Sequence, residues 1–145
     1  MFCFNKFNDV INFKLPILKQ VGRNFDKKAP IEKKISFEQF CINQSYWLDD
    51  YSRYWALKEE NDQKSWFEWK LSTVQNTEYV HEAKVIQFLF HDQWHRLRQY
   101  CRGKGIQIIG DMPIYVGYDS ADVYANPELF QLDSEGRMKY QGGCP

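Results

Sequence analysis

The chain has 145 residues, the size of one ordinary domain or part of a larger one, and its 19 Lys and Arg balance 19 Asp and Glu. That neutrality excludes the electrostatic footprint of a nucleic-acid binder, and no run of basic residues marks a helix for a membrane surface. Hydrophobic residues are 43% of the chain and aromatics 17%, enough for a core and more rings than packing usually demands.

Residues 1–8 show no settled period. From Asp9, "DVINFKLPILKQVGRNF" places Val10, Phe13, Ile17 or Leu18, Val21 and Phe25 at helical spacing. Pro16 lacks an N–H and clashes with the preceding turn, so the helix either starts near it or kinks there. "KKAPIEKK" reads as a polar connection. Ser36 with Gln39 has the form of a capping box opening "SFEQFCINQ", and a further helix follows in "SYWLDDYSRYWALKEEND". There Trp47, Tyr51, Tyr54 or Trp55 and Lys58 share a stripe, Asp49, Asp50, Arg53 and Glu60 can face water, and Asn61 and Asp62 stop the helix.

Trp66 and Trp69 fall in a short irregular or helical segment; for these and Trp47 the default role is packing. Thr77 can cap the longest helix, expected over about residues 78–102. Its stripe runs through Val80, the Lys84 stem, Val85, Phe88, Leu89, Trp94, Leu97 and Cys101, and Gly103 and Gly105 end it. Ile106, Ile108 and Ile109 then read as a strand buried on both faces. A long helix, a Gly-Lys-Gly turn and a buried strand predict an αβ unit of a parallel sheet, hence an α/β fold class. "DMPIYVGYDS" is a loop, Ser120 caps a turn over "ADVYANP", and "QLDSEGRMKYQ" reads as a small hairpin about residues 134–136.

Several chemistries find no motif. His91 and His95 are one helical turn apart but lack a third ligand, and His81-Glu82 lacks the second histidine of H-E-x-x-H, so no metal site is expected. Gly103, Gly105 and Gly110 do not form G-x-G-x-x-G, and neither a phosphate-binding G-x-x-x-x-G-K-[ST] nor a G-x-S-x-G elbow occurs, so no cofactor is expected either. Cys3, Cys41, Cys101 and Cys144 form no C-x-x-C pair and suit free thiols in a reducing cytosol. No export signal opens the chain and no apolar run spans a bilayer, so a cytoplasmic protein without membrane contact is expected.

What remains is the segment after the predicted strand. A carboxylate at the carboxyl end of a parallel strand is placed for ligand contact, which singles out Asp111, although an aspartate there can also simply accept bonds from its own turn. The loop beyond it, with Asp111, Tyr115, Tyr118, Asp119, Asp122 and Tyr124, combines carboxylates and rings. That combination suits carbohydrate, whose hydroxyls take charge-assisted partners and whose C–H faces take aromatic rings.

The stretch "GIQIIGDMPIYVGYDSADVYANPELFQLD" closely resembles a signature region of the 4-α-glucanotransferases, the amylomaltase or disproportionating-enzyme family, glycoside hydrolase family 77. "FCINQSYWLDDYSRYWALKEE" and "QFLFHDQWHRLRQYCRGKGI" are similar to the preceding helices of that family, in the expected order. The match is strong over residues 36–145, weaker over 9–34 and absent before that. Tyr124 stands where the family usually has Trp, Gly117 where it often has Ala, and "QGGCP" replaces an Ala-Gly-Val-Pro-Pro opening of a substrate loop.

The resemblance implies part of a (β/α)8 barrel spanning residues 1–145, covering helices and the region around barrel strand 3. It also implies transfer of α-1,4-glucan segments to the 4-hydroxyl of acceptor sugars by a retaining mechanism, with carboxyl groups about 5 to 5.5 Å apart. Its substrates would be α-1,4-glucans and maltooligosaccharides. The implied substrate-binding residues are Asp111, Tyr115, Ser120, Asp122 and Tyr124, with Asp111 on a glucose hydroxyl near the scissile bond and Ser120 and Asp122 shaping the loop. Family members carry their reacting carboxylates on later strands, so none is assigned here. A complete barrel needs typically about 250 residues, and the chain is expected to be an internal fragment inactive alone. Two alternatives stand beside this: a non-catalytic α-glucan-binding module, and a helical interaction protein whose aromatics are only core.

Overall fold

The computed structural model describes residues 6–140 and 142. Three long helices carry most of the chain: α1 (Phe7–Lys28), α2 (Ile31–Glu60) and α3 (Thr77–Gly103), followed by the short α4 (Ala121–Ala125). Single 3-10 turns lie at Trp66–Glu68 and Pro127–Leu129.

Helix α1 continues through Pro16, which is exposed, so water can take up the Asn12 carbonyl that the proline leaves without a donor. Asp9 in its first turn and Lys27 and Lys28 in its last complement the helix dipole. The break to α2 is only two residues long. Pro30 forces Ala29 into an extended conformation (ψ 140°), and the next helix starts at once.

The expected capping box at Ser36 is not formed. Ser36 Oγ donates to the Glu32 carbonyl at 2.7 Å and Gln39 Nε2 donates to Asn43 Oδ1 at 2.9 Å, both inside a helix that began five residues earlier. With no Gly or Pro between residues 31 and 60, the two expected helices are one of 30 residues. It stops at Asn61, as expected, and that residue does more than end the helix. Its buried carboxamide accepts from the Lys70 and Leu71 N–H groups and donates to the Leu57 and Leu71 carbonyls, tying down the connection to α3. Glu60, expected to face water, accepts from the Gln75 and Asn76 N–H groups. Asn76, rather than Thr77, then caps α3 by accepting from Glu78 N at 2.9 Å.

The core lies where the three long helices meet, around Phe25, Phe37, Phe40, Leu48, Val85 and Phe88. Its rings meet edge to face, Phe25 to Phe37 at 5.2 Å and Phe37 to Phe88 at 5.6 Å between centroids. Beside it α1 and α3 approach closely at Gly22 and Glu82. Glu82 is 1% exposed; Oε2 accepts from Arg23 Nε at 3.0 Å, while Oε1 is buried without a hydrogen-bond partner among the described residues. Burial pushes its carboxyl above the ordinary value, more than Arg23 lowers it.

Helix α3 ends in a Schellman motif. Gly105, at φ +71°, donates to the Arg102 carbonyl and Ile106 donates to that of Cys101, which is how a left-handed glycine satisfies the last turn. The expected strand after it is absent: no strand is formed among the described residues, and Ile106, Ile108 and Ile109 are exposed, the last at 92%. Strand backbone has to be paired, and among the described residues no backbone hydrogen bond joins residues 107–109 to another segment. The described structure is therefore mostly helical rather than an α/β layer arrangement. The expected hairpin reduces to one antiparallel bridge, Leu132 to Met138, with Gly136 at φ +75° in its turn.

A methyl group at position 22 would sit 2.8 Å from Glu82 Cγ and 3.2 Å from its Cα. Overpacking of this kind costs about 1–3 kcal/mol, against a helix-propensity gain of about 1 kcal/mol. Gly22→Ala is therefore expected to unfold at lower urea than wild type with an unchanged slope, and an equal or higher midpoint would contradict the close α1–α3 contact.

Candidate functional site

Asp111 lies in the exposed segment that leaves the end of α3. Its Oδ1 accepts from the Met112 N–H at 2.8 Å, and no other hydrogen bond or ion pair engages the carboxylate among the described residues. Tyr115, 68% exposed, lays its ring against Gly142, where a Cβ would come within 2.6 Å of the ring. Next to it a cavity of about 540 Å³ opens between Tyr115, Tyr118, Phe130 and Tyr140.

The far end of this segment is held by Asp119. Its carboxylate accepts from Tyr54 Oη at 2.7 Å, from the Lys58 ammonium, from Ser65 Oγ at 3.2 Å and from the Trp66 N–H at 3.2 Å. Burial acts to raise its carboxyl, but Lys58, Tyr54 and the Trp66 N–H together outweigh that and hold it below the ordinary carboxylate value. The Tyr54 hydroxyl moves the other way, pushed up by burial and by its bond to the Asp119 carboxylate. Trp66 Nε1 donates to the Tyr118 carbonyl at 2.7 Å, and Tyr118 Oη donates to the Gly136 carbonyl, so the loop, the 3-10 turn and the hairpin-like turn are stitched together.

A ring cluster packs beside this clamp. Tyr124 packs on Trp69 at 5.0 Å, on Tyr54 at 5.9 Å and on Trp66 at 6.1 Å, while Phe67 stacks on Tyr118 at 5.0 Å. Trp66 and Trp69 pack, as expected, and Trp47 packs against the core.

The five residues expected to bind substrate thus occupy three settings. Asp111 and Tyr115 are exposed on the segment between α3 and Asp119. Ser120 caps α4, its Oγ accepting from Val123 N at 3.4 Å, and Tyr124 is half-buried in the ring cluster. Asp122 is exposed in the first turn of α4, on a cleft facing α2. Sequence reasoning counted Asp119 among the acids of the carbohydrate-suited loop but missed its clamping role and its partners Tyr54 and Lys58; the signal available was the spacing of those two, one helical turn apart on α2.

Among the described residues no group of three or more His, Cys, Asp and Glu could hold a metal ion. The His91 and His95 rings lie 6.4 Å apart, and the intervening Asp92 is taken up by Lys33 and Arg96. No helix of the described residues is long and apolar enough to cross a membrane.

A family model described as 4-alpha-glucanotransferase, glycoside hydrolase 77, matches residues 4–145. The 4-alpha-glucanotransferase of Aquifex aeolicus (strain VF5) is 37% identical over 94% of this chain and 29% of its own length. That of Thermus thermophilus is 39% identical over 92% of this chain and 29% of its own. Among solved structures, the amylomaltase from Streptococcus agalactiae in complex with acarbose superposes with a TM-score of 0.77 at 30% identity, over 90% of this chain and 28% of that one. The chain thus spans about 29% of the length of the first two relatives.

Because the folded value of Asp119 is depressed, its stabilisation is complete above the unfolded value of about 3.9 and is lost as pH falls through the folded value. With partial exposure discounted, Asp119→Asn is expected to cost about 1–2 kcal/mol at pH 7. Urea titrations of wild type and variant should show that gap narrowing once the pH drops below about 4; a gap independent of pH would refute the carboxylate clamp.

Proposed function

The chain belongs to the 4-alpha-glucanotransferase family, and from that membership we propose that it supplies part of an enzyme transferring α-1,4-glucan segments between sugars. The observation that carries this reading is the family match across nearly the whole chain, including the segment from Gly105 to Phe130 with its exposed Asp111. The chemistry proposed is retaining: one carboxylate attacks the anomeric carbon, a carboxylic acid protonates the leaving oxygen, and the 4-hydroxyl of an acceptor sugar replaces water in the second step. The residues of this chain take the part of binding and orientation. Asp111 has an oxygen free to accept a glucose hydroxyl in a charge-assisted bond, and the exposed ring of Tyr115 offers a face to the sugar.

Ser120 and Tyr124 act behind that contact, the first by starting α4 and the second by packing on Tyr54, which donates to Asp119. The proposed ligands are α-1,4-glucans and maltooligosaccharides. A reducing, cytoplasmic setting suits the free thiols of Cys41 and Cys101. The proposed architecture of the complete enzyme is a (β/α)8 barrel in which residues 106–109 pair as a strand.

Calorimetric titration with maltoheptaose tests the binding role. Saturable heat that is lost in Asp111→Asn is the expected result, and heats indifferent to that substitution would remove Asp111 from the site. The 145-residue chain alone is expected to leave maltotriose unchanged; release of glucose together with longer maltodextrins would overturn the assignment of the reacting carboxylates to other polypeptide.

A further inference from the structure

His91 and His95 take no part in the Asp119 clamp or the Asp111 segment. They lie one helical turn apart on α3, both exposed, with ring centroids 6.4 Å apart and planes 12° from parallel. They form one wall of a groove of about 510 Å³ whose other wall is α2, with Ser36, Gln39, Asn43 and Gln44. The His91 ring also packs on Phe40 at 5.0 Å, which steadies it at the edge of the core.

The charges around the pair decide what it can hold. Asp92, between the two histidines, accepts from Lys33 on α2 and pairs with Arg96 on α3, both at 2.9 Å. Two cations on one acid leave the groove a positive excess, and no other carboxylate lines it. Calcium and magnesium are held by oxygen ligands, carboxylates above all, so this groove does not suit them. Imidazole is a neutral nitrogen donor that suits the later first-row metals, with affinity rising from Co²⁺ through Ni²⁺ to Cu²⁺. A closed or catalytic zinc site takes three or four protein ligands, which the described residues do not bring together. A tetragonal Ni²⁺ or Cu²⁺ ion can instead take two nitrogens in adjacent positions and keep water in the rest. Gln39 Nε2 is bonded to Asn43 Oδ1, and no hydrogen bond reaches Gln39 Oε1 among the described residues, so that oxygen can accept from a metal-bound water. Metal–nitrogen bonds of about 2.0–2.1 Å put two adjacent nitrogens roughly 3 Å apart. The exposed His95 reaches that separation by turning between staggered rotamers while Phe40 holds His91.

We propose that His91 and His95 chelate a late first-row divalent metal, with one imidazole nitrogen from each and water completing the shell, so that the ion clips two successive turns of α3 beside the α2–α3 groove. The site uses neither Asp111 nor a sugar, and it stands or falls separately from the function proposed for the chain.

Nickel chloride is the probe, because Cu²⁺ would oxidise the free thiols of Cys41 and Cys101. Calorimetric titration of the 145-residue chain should give a saturable heat. His91→Gln and His95→Gln should each weaken it about tenfold or more, through loss of one of two protein ligands. His81→Gln changes the third histidine of the chain and should leave the nickel affinity as in wild type. Both ligand side chains are exposed, so the circular dichroism of their variants should match wild type. Protons compete with the metal for imidazole, so affinity should fall with acid; the charged groups beside the pair, Asp92, Lys33 and Arg96, are already held in ion pairs. Nickel should raise the thermal midpoint of wild type and of His81→Gln, and leave those of His91→Gln and His95→Gln unmoved. Calcium chloride should give no saturable heat. The absence of nickel binding, or binding that survives both ligand substitutions, would overturn the proposal. So would a sulfur-to-nickel charge-transfer band in the near ultraviolet, which would assign the metal to thiolates.

Discussion

Four donors converge on the Asp119 carboxylate, and the order of everything after α3 depends on that convergence. Two of them come from the C-terminal half of α2 and two from the start of the 3-10 turn just beyond it, so a single acid ties the chain around residues 54–66 to a segment more than 50 residues later. Charge-assisted bonds of this type are shorter and stronger than neutral ones. The rings of Trp66, Trp69, Tyr118 and Tyr124 pack on one another beside the clamp. The other end of the loop is set by the Schellman turn at Gly105. Residues 106–117 are thus fixed at both ends and exposed between them, which is the arrangement in which a side chain such as Asp111 can meet a ligand while its backbone origin is held.

The apolar surface tells a second part of the story. Helix α3 buries Val85 and Phe88 but exposes Phe90, Leu97 and Tyr100, and α1 buries Phe25 while exposing Phe7, Phe13 and Ile17. An amphipathic helix gains stability by covering its stripe, and much of the apolar surface of these two helices lacks that cover. Exposed apolar surface of this extent has the character of an interaction face. It agrees with relatives of which the matched part is 29% of the length, and it accounts for the missing strand in the same terms: Ile106, Ile108 and Ile109 have the composition of a central strand but no ladder partner.

Helical content was legible in the sequence because spacing reports it directly. The stripes of α1 and α3, the stop at Asn61, the glycine end of α3 and the Ser120 cap were all readable from local pattern. The false capping box at Ser36 shows where local pattern fails. Ser and Gln at the right spacing form a cap only if the backbone leaves the helix there, and Pro30 had already supplied the start. Thr77 lost the cap to Asn76 for a related reason, since Glu60 from the preceding helix holds the backbone just ahead of α3.

The candidate site divides in the same way. Its family and its loop were visible in consecutive residues, where Asp111 and its aromatic neighbours stand together. Which carboxylates are already spoken for was not. Asp119 looks in sequence like Asp111 or Asp122, yet it is saturated by donors from α2 and the following turn, while Asp50 and Asp122 come to one cleft from positions 72 residues apart and form no ion pair among the described residues. The sequence by itself determined where most of the helical residues lie and the family, because periodicity and motif are properties of neighbouring residues. Only the tertiary structure decided which acids are clamps and which are free, because a hydrogen bond between distant segments exists only once packing has set their separation.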